Sequence, residues 1–342
     1  MRYLVTGGAG FIGSNFVRFL FRKYGDAAQV VNLDKLTYAG IRENLADFEG
    51  RPNYRFVHGD IANPRDAAEG CRGIDEGGVD VVVNFAAETH VDRSLMEAGS
   101  FIETDVHGVL VLLEEARKHA PNLKRFVQIS TDEVYGSIEK GSFKETDALN
   151  PRNPYSASKA GGDRMAYAFC QTYGLPVIIT RASNNFGPWQ YPEKLIPLFV
   201  TNAIDNLPLP LYGDGRNVRD WLFVDDHCAA IDFLIERGTN GEVYNVGGGN
   251  ERQNRDITTK ILEILGKPDS LIKPVADRQG HDRRYALDTT KLETLGFRCD
   301  TDFDDALQRT VRWYVDNQPW WRAIKERSAE FRDYYQRQYG AR

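Results

Sequence analysis

The 342-residue sequence predicts an α/β fold: a parallel sheet wrapped by helices on both faces, with a smaller mixed α/β unit interleaved. Three observations carry that reading. Short apolar runs rich in β-formers recur with helical stretches between them, as a sheet buried on both sides requires. The first run, Tyr3-Leu4-Val5, passes at once into the glycine turn Thr6-Gly7-Gly8-Ala9-Gly10-Phe11-Ile12-Gly13 and a helix start. The second, Gln29-Val30-Val31-Asn32-Leu33, ends at an acid, Asp34. Together they point to a doubly wound, Rossmann-type sheet.

Gly7, Gly10 and Gly13 form a G-x-x-G-x-x-G pattern. Such a turn needs permissive dihedrals, close backbone approach to a pyrophosphate and tight helix–strand packing. The helix that follows offers unpaired N–H groups and the positive end of its dipole to phosphates. Asp34 lies 21 positions after Gly13, near the roughly 20 expected of the acid that binds the adenosine ribose. A carboxylate there repels a 2′-phosphate and favours NAD over NADP, although Lys35 beside it counts the other way.

The alternation continues through Tyr54-Arg55-Phe56-Val57-His58, followed by Gly59-Asp60-Ile61, and through Val79-Asp80-Val81-Val82-Val83-Asn84-Phe85. The small pair Ala86-Ala87 after that strand either admits a cofactor or simply makes a tight turn. Residues 105–119 read as a helix striped by Val106, Val109, Leu110, Leu113 and Ala116. Arg125-Phe126-Val127-Gln128-Ile129 reads as a buried strand, and Asn150-Pro151 and Asn153-Pro154 precede a helix over 155–173. Pro176-Val177-Ile178-Ile179-Thr180 completes the sheet. Residues 181–192 read as a polar, aromatic loop and 211–215 as a turn; a strand over 218–224, a helix over 225–236 and a strand at Val243-Tyr244-Asn245-Val246 follow. The dinucleotide unit is therefore placed at residues 1–181, rejoined by about 223–247, and the second unit at 182–222 and 248–342.

A net charge of −6 argues against binding nucleic acid through overall charge. The scattered Cys71, Cys170, Cys228 and Cys299 have no metal-ligand spacing and read as reduced thiols of a cytoplasmic protein. No apolar run approaches the roughly 18 residues of a transmembrane helix. The start Met1-Arg2-Tyr3-Leu4-Val5 is signal-like, but the glycine turn explains it better than secretion does. The basic, aromatic stretch 320–339 keeps helical spacing at Trp320, Ile324, Phe331 and Tyr335, so it reads as a packed amphipathic helix.

The chemistry gathers in two short stretches. Ser130-Thr131-Asp132-Glu133-Val134-Tyr135-Gly136 follows a strand, at the carboxyl edge where open α/β sheets bind ligands. In Tyr155-Ser156-Ala157-Ser158-Lys159 the four-residue spacing sets Tyr155 and Lys159 on one helix face. A phenol beside an ammonium has reason to ionise, which makes a base for an alcohol. Asp132 and Glu133 supply a second proton-transfer set, so the pocket suits oxidation combined with elimination.

These residues resemble the extended short-chain dehydrogenases/reductases and, among them, the dTDP-glucose 4,6-dehydratase family. The resemblance spans roughly residues 1–320 and rests on the glycine turn, Tyr155/Lys159 and Thr131-Asp132-Glu133. It rests also on Phe85-Ala86-Ala87-Glu88-Thr89-His90-Val91-Asp92-Arg93-Ser94, Pro192-Glu193-Lys194-Leu195-Ile196-Pro197 and Gly280-His281-Asp282-Arg283-Arg284-Tyr285. It implies that Gly7, Gly10, Phe11, Ile12, Gly13, Asp34, Lys35, Thr37, Asp60, Ile61, Phe85, Ala86, Ala87, Thr104, Tyr155, Lys159 and Asn185 hold a tightly kept NAD. It implies that Thr89, Thr131, Asn184, Glu193, Lys194, Leu195, Pro210, Tyr212, Arg219, Asn254, Arg278, His281 and Tyr285 hold dTDP-glucose. The implied reaction gives dTDP-4-keto-6-deoxyglucose: Tyr155, aided by Lys159 and Thr131, serves oxidation at C4, while Glu133 and Asp132 remove water across C5–C6. A homodimer built on the helices near 105–119 and 155–173 is also implied. Another nucleotide-sugar enzyme of this fold, a 4-epimerase or a decarboxylase, would not need Asp132-Glu133. A non-catalytic NAD sensor would not need Tyr155, Lys159 and Thr131 together.

Overall fold

The computed structural model describes residues 1–277, 282–327, 331–333 and 335. The first part of the chain runs β1 (Arg2–Thr6), α1 (Phe11–Tyr24), β2 (Gln29–Asp34), β3 (Tyr54–His58), α2 (Pro64–Arg72) and β4 (Val81–Asn84). There follow α3 (Val91–Met96), α4 (Gly99–Ile102), α5 (Val109–His119), β5 (Arg125–Thr131), α6 (Pro154–Tyr173) and β6 (Val177–Ala182). The second part runs β7 (Asn184–Phe186), α7 (Leu195–Ile204), β8 (Leu209–Tyr212), β9 (Val218–Phe223), α8 (Val224–Arg237) and β10 (Val243–Val246). It ends with β11 (Glu251–Gln253), α9 (Asn254–Leu265), β12 (Ile272–Val275), α10 (Thr290–Leu295), α11 (Phe303–Asp316) and α12 (Gln318–Arg327).

Among the described residues, one seven-stranded sheet has the order β10-β6-β5-β4-β1-β2-β3, every pair parallel. Alternate residues of each strand serve opposite layers. Tyr3, Val5, Val81, Val83, Val127 and Ile129 pack with Phe16 and Leu20 of α1 and Ile231 of α8. Leu4, Val82 and Phe126 pack on the other face with Leu112 of α5 and Phe169 of α6. The chain runs outward from β1 to β2 and β3, then returns to β4 on the other side. That reversal opens a crevice at the carboxyl ends of β1 and β4.

A second core joins Phe186, Phe199, Trp221, Ile261, Leu307 and Trp321. Residues 181–192 are not all loop. Arg181 and Ala182 extend β6, and Asn184–Phe186 forms β7, parallel to β9. The polar residues there pair edge-on with β9, which no local alternation in the sequence signals. The helix read at 105–119 begins with a π-helical turn, Glu103–Gly108, and becomes α-helical at Val109. In the tail, Trp321 is the fully buried tryptophan, and Arg322 pairs with Asp205 at 2.7 Å. Among the described residues no helix is long and apolar enough to cross a membrane. The four cysteines are free thiols.

Candidate active site

The glycine turn is shaped by contact. Gly7 has φ +64°, and a Cβ there would lie 2.7 Å from the Ala86 nitrogen. A Cβ on Gly13 would lie 2.4 Å from the Gly7 carbonyl, so the turn and α1 meet backbone to backbone. Gly8, not singled out in the sequence, is needed for a similar reason: a Cβ would meet the Asn32 amide. The first-turn N–H groups of α1 have no intrahelical acceptor. Asp34, buried at the end of β2, accepts from the Ala9 N–H at 2.8 Å and the Leu36 N–H at 2.8 Å. Burial raises its carboxyl, and those two backbone bonds oppose the rise.

Around this turn lies a cavity of about 250 Å³. Gly7, Gly10, Phe11, Ile12, Gly13, Asp34, Lys35, Thr37, Asp60, Ile61, Phe85, Ala86, Ala87, Thr104, Tyr155 and Lys159 all line it. Lys35 is committed to Asp60 at 2.7 Å. The glycine cradle, the unpaired helix N–H groups and the anchored Asp34 carboxylate fit the pyrophosphate and ribose of a dinucleotide.

A second cavity of about 290 Å³ adjoins it. Tyr155, Phe11, Ile12, Thr89, Glu193 and Lys194 line both. The second cavity is bounded by Thr131, Asp132, Glu133, Asn184, Leu195, Pro210, Tyr212, Arg219 and Asn254. Asn185 lines this cavity, its Oδ1 2.9 Å from His227 Nδ1 and its amide nitrogen donating to the Ser183 carbonyl at 3.0 Å. Tyr285 stands behind the wall: the Arg219 guanidinium lies 4.5 Å over its ring, and its hydroxyl meets Asp282. Arg278 and His281 lie outside the described residues.

The catalytic candidates come from two elements with fixed ends. After β5 the chain makes a 3₁₀ turn, Asp132–Tyr135, capped by the Thr131 hydroxyl, which accepts from the Glu133 N–H at 3.3 Å. The same hydroxyl donates to Asp132 Oδ1 at 3.1 Å. Helix α6 begins with a capping box between Asn153 and Ser156, with Pro154 in its first turn, so Tyr155 sits in a pinned first turn. Asp132 is buried, and its carboxyl is pushed up to about 8, first by burial, then by the charges of Glu133 and Asp220. Crowding by Glu133 is thus the smaller cause. Asp132 Oδ2 and Glu133 Oε2 are buried without a partner, as oxygens awaiting a ligand would be.

Tyr155 departs from the expectation of a ready phenolate. Its hydroxyl is held well above the ordinary phenol range by burial and by the charges of Glu133, Asp105 and Asp132, against a hydrogen bond with Thr131. Lys159 donates to the Ile129 carbonyl at 2.9 Å and favours the charged form of Asp105. Asp105 was not singled out in the sequence. It sits in the π-helical turn, accepts from the Glu88 N–H at 2.9 Å and from the Ser158 hydroxyl at 2.6 Å, and is pushed up to about 6 by burial. His227 was also missed. It reads as one more helix residue, yet it is fully buried, lines the second cavity and is pushed down to about 3 by burial. Tyr38 donates to Glu193 at 2.8 Å, and Arg93 reaches the same carboxylate at 3.3 Å. Glu193 therefore ties the dinucleotide-side loop to the second cavity.

The family model described as GDP-mannose 4,6 dehydratase matches residues 4–310. The chain belongs to that family. Within the family it is 51% identical to a dTDP-glucose 4,6-dehydratase of Streptomyces antibioticus, over 96% of this chain and 97% of that protein. The crystal structure of a dTDP-glucose 4,6-dehydratase from Streptomyces venezuelae with NAD bound is 53% identical. It superposes with a TM-score of 0.90, covering 95% of this chain and 100% of that one. A UDP-glucose 4-epimerase of Thermus thermophilus, also with NAD, is 30% identical, with a TM-score of 0.84 over 93% of this chain and 100% of that one. One fold carries both reactions, so the choice between them falls to the side chains.

Proposed function

We propose that the chain is an NAD-dependent dTDP-glucose 4,6-dehydratase, converting dTDP-glucose to dTDP-4-keto-6-deoxyglucose. The observation that carries this reading is the meeting of Tyr155 with Asp132 and Glu133 in one cavity. An epimerase needs the first of these sets and has no water to eliminate. The unit of residues 1–181 with about 223–247 takes the dinucleotide, and residues 182–222 with 248–342 take the sugar nucleotide.

NAD bound against the glycine turn supplies a hydride acceptor at C4 and a donor at C6. The protein moves the protons. Tyr155 takes the proton of the C4 hydroxyl, with Thr131 holding that oxygen. Its resting phenol is neutral, but it lines both cavities, so positive charge brought into the dinucleotide cavity favours the phenolate. Once C4 is a ketone the C5 hydrogen is acidic, and Glu133 removes it. Asp132, still protonated near neutral pH, gives its proton to the departing C6 hydroxyl. Glu133 then returns a proton to C5. Arg219 and Lys194 suit a pyrophosphate as charged donors.

The protein is proposed to work in the cytoplasm as a homodimer. Val109, Leu113, Ala166 and Phe169, whose apolar character suggested the dimer, pack inward on the sheet. Support comes instead from outer residues of α4 and α6, Ile102 and Tyr167, which are exposed. Light scattering at micromolar concentration should give twice the chain mass; a monomer would remove the dimer. For the reaction, dTDP-glucose, UDP-glucose, CDP-glucose and GDP-mannose are offered separately. The expected outcome is a 4-keto-6-deoxy product, 18 mass units lighter (about one water), from dTDP-glucose foremost. Conversion of UDP-glucose to an isomer of equal mass would overturn it.

A further inference from the structure

Arg181 of β6 is almost wholly buried and lies outside both cavity linings, yet its guanidinium joins the two catalytic elements. Its Nε donates to Asp163 Oδ2 at 2.9 Å, and both side chains of this ion pair are excluded from solvent. Its Nη1 donates to the Tyr135 hydroxyl at 2.8 Å, and its plane lies 4.7 Å over the Tyr135 ring. The Tyr135 hydroxyl donates onward to Asn245 Oδ1 at 2.8 Å. That amide is oriented by its own bonds to the Phe143 and Asp288 carbonyls. Tyr135 is stacked on Phe143, with centroids 5.0 Å apart.

The positions of these groups give the network its meaning. Tyr155, Lys159 and Asp163 succeed one another at four-residue steps along one face of α6. Tyr135 closes the 3₁₀ turn that begins with Asp132 and Glu133. Thr131 holds the start of that turn, and Tyr135 anchors its end. In the strand register Arg181 stands beside Ser130 of β5 and Asn245 of β10, so it reaches the turn and the helix together.

A solvent-free ion pair is weak evidence for stability, because desolvation offsets its attraction and apolar replacements are often neutral. Asp163 Oδ1 has no partner at all, so the pair is not optimised even as a pair. Holding two elements in register accounts for both features. The reaction removes a proton through Tyr155 at C4 and another through Glu133 at the neighbouring carbon. An error of about 1 Å between two such groups can cost about 10²-fold in rate.

We propose that Arg181 is a positioning residue, with Tyr135 and Asp163 as its two arms, that fixes the carboxyl turn against the redox helix. The proposal rests on the division of labour given above. Lysine would not replace it, since a point charge cannot reach Asp163 and Tyr135 together in the fixed geometry of a guanidinium fork.

The test uses Tyr135→Phe in the full-length, NAD-loaded enzyme, with Asp163→Asn and the double variant beside it. Tyr135→Phe keeps the ring stack and the ion pair and removes the hydroxyl, with its bonds to Arg181 and Asn245. In steady-state turnover of dTDP-glucose, kcat should fall about 10-fold with KM little changed. Enzyme-bound reduced nicotinamide should accumulate, because oxidation now outruns elimination. The double variant should lose less than the product of the two single losses, since both act through one guanidinium. Amide exchange provides the readout that does not depend on turnover. Exchange at residues 131–136 should quicken about 10-fold in Tyr135→Phe while the distant core stays protected. A merely structural role would lower Tm and the active fraction but leave kcat per folded site, and the reduced-nicotinamide signal, at parental values. That result, or unchanged exchange at 131–136, would overturn the proposal. A parent enzyme inactive on dTDP-glucose would sink the proposed reaction instead, and the exchange arm would still decide the link.

Discussion

The two cavities that meet at Tyr155 are built from different materials. The dinucleotide cavity is shaped at its turn by backbone: Gly7 at φ +64°, the tight passage beside Ala86, the first turn of α1, and Asp34 held by two N–H groups. The sugar-side cavity is a convergence of side chains from the β5 turn, α6, β7, β8, β9 and the start of α9. A backbone cradle binds whatever shares a pyrophosphate and tolerates little change in its glycines. A side-chain cavity keeps its shape through many substitutions and changes its chemistry with one. In the proposed assignment the first cavity sets the cofactor class and the second sets the reaction.

The largest effect should come from the seam. Tyr155→Phe removes the proposed base for the C4 hydroxyl, and losing a positioned base costs about 10²- to 10⁴-fold in kcat. Sugar-nucleotide binding should change little, as equilibrium dialysis can measure. Turnover within a few-fold of the parent would mean that another group takes that proton.

On the sugar side, Glu133→Gln should stop proton removal at C5 while leaving Tyr155 and Lys159 untouched. Stopped-flow absorbance should show bound reduced nicotinamide forming at the parental rate and persisting, with water loss slowed about 10²-fold. Parental water loss would break the assignment. Asp132→Asn should show the same pattern less severely, because water can protonate a leaving hydroxyl in part.

Asp132 also gives a stability test with a definite sign. Its carboxyl is raised to about 8 in the folded protein, while the unfolded chain releases that proton in the ordinary carboxylate range. Between those values the folded state holds the proton and the unfolded state does not. Stability from this group is thus present at low pH and lost as pH rises toward about 8. Asn cannot ionise, so the Tm of Asp132→Asn relative to the parent should climb from pH about 4 to about 8 and then level. A difference independent of pH would mean that the carboxyl is not held neutral. For activity, elimination should decline above pH about 8, as the acid loses its proton.

On the cofactor side, Gly13→Ala would place a Cβ 2.4 Å from the Gly7 carbonyl. The shift this forces should weaken NAD retention through gel filtration and cost about 1–3 kcal/mol of stability. Full NAD occupancy at parental Tm would show the cradle to be looser than its contacts imply.

The same contrast explains what was legible in the sequence. The glycine turn and Asp34 are local in the chain, so spacing reveals them. The α6 register follows from Asn153, Pro154 and Ser156, again neighbours in sequence. Asp105 and His227 are different. One lies in a π-helical turn and the other in an amphipathic helix, and both acquire meaning only when folding sets them beside Lys159 and Asn185. Strand β7 was hidden because its partner β9 lies over 30 residues away and its residues do not alternate. The protonation of Tyr155 was not legible either. The sequence displays Lys159, Asp132 and Glu133, but not the burial of the phenol or the approach of Asp105, which come only with folding.

In the proposed reaction one redox pair and one carboxyl pair act on a single bound sugar. Its most direct test is turnover of dTDP-glucose deuterated at C4, mixed with unlabelled sugar carrying a distinguishable nucleotide isotope. Deuterium should arrive at C6 of the same molecule, C5 should carry a solvent hydrogen, and no reduced nicotinamide should be released. Deuterium crossing into the unlabelled sugar, or reduced nicotinamide building up in solution in step with product, would contradict it.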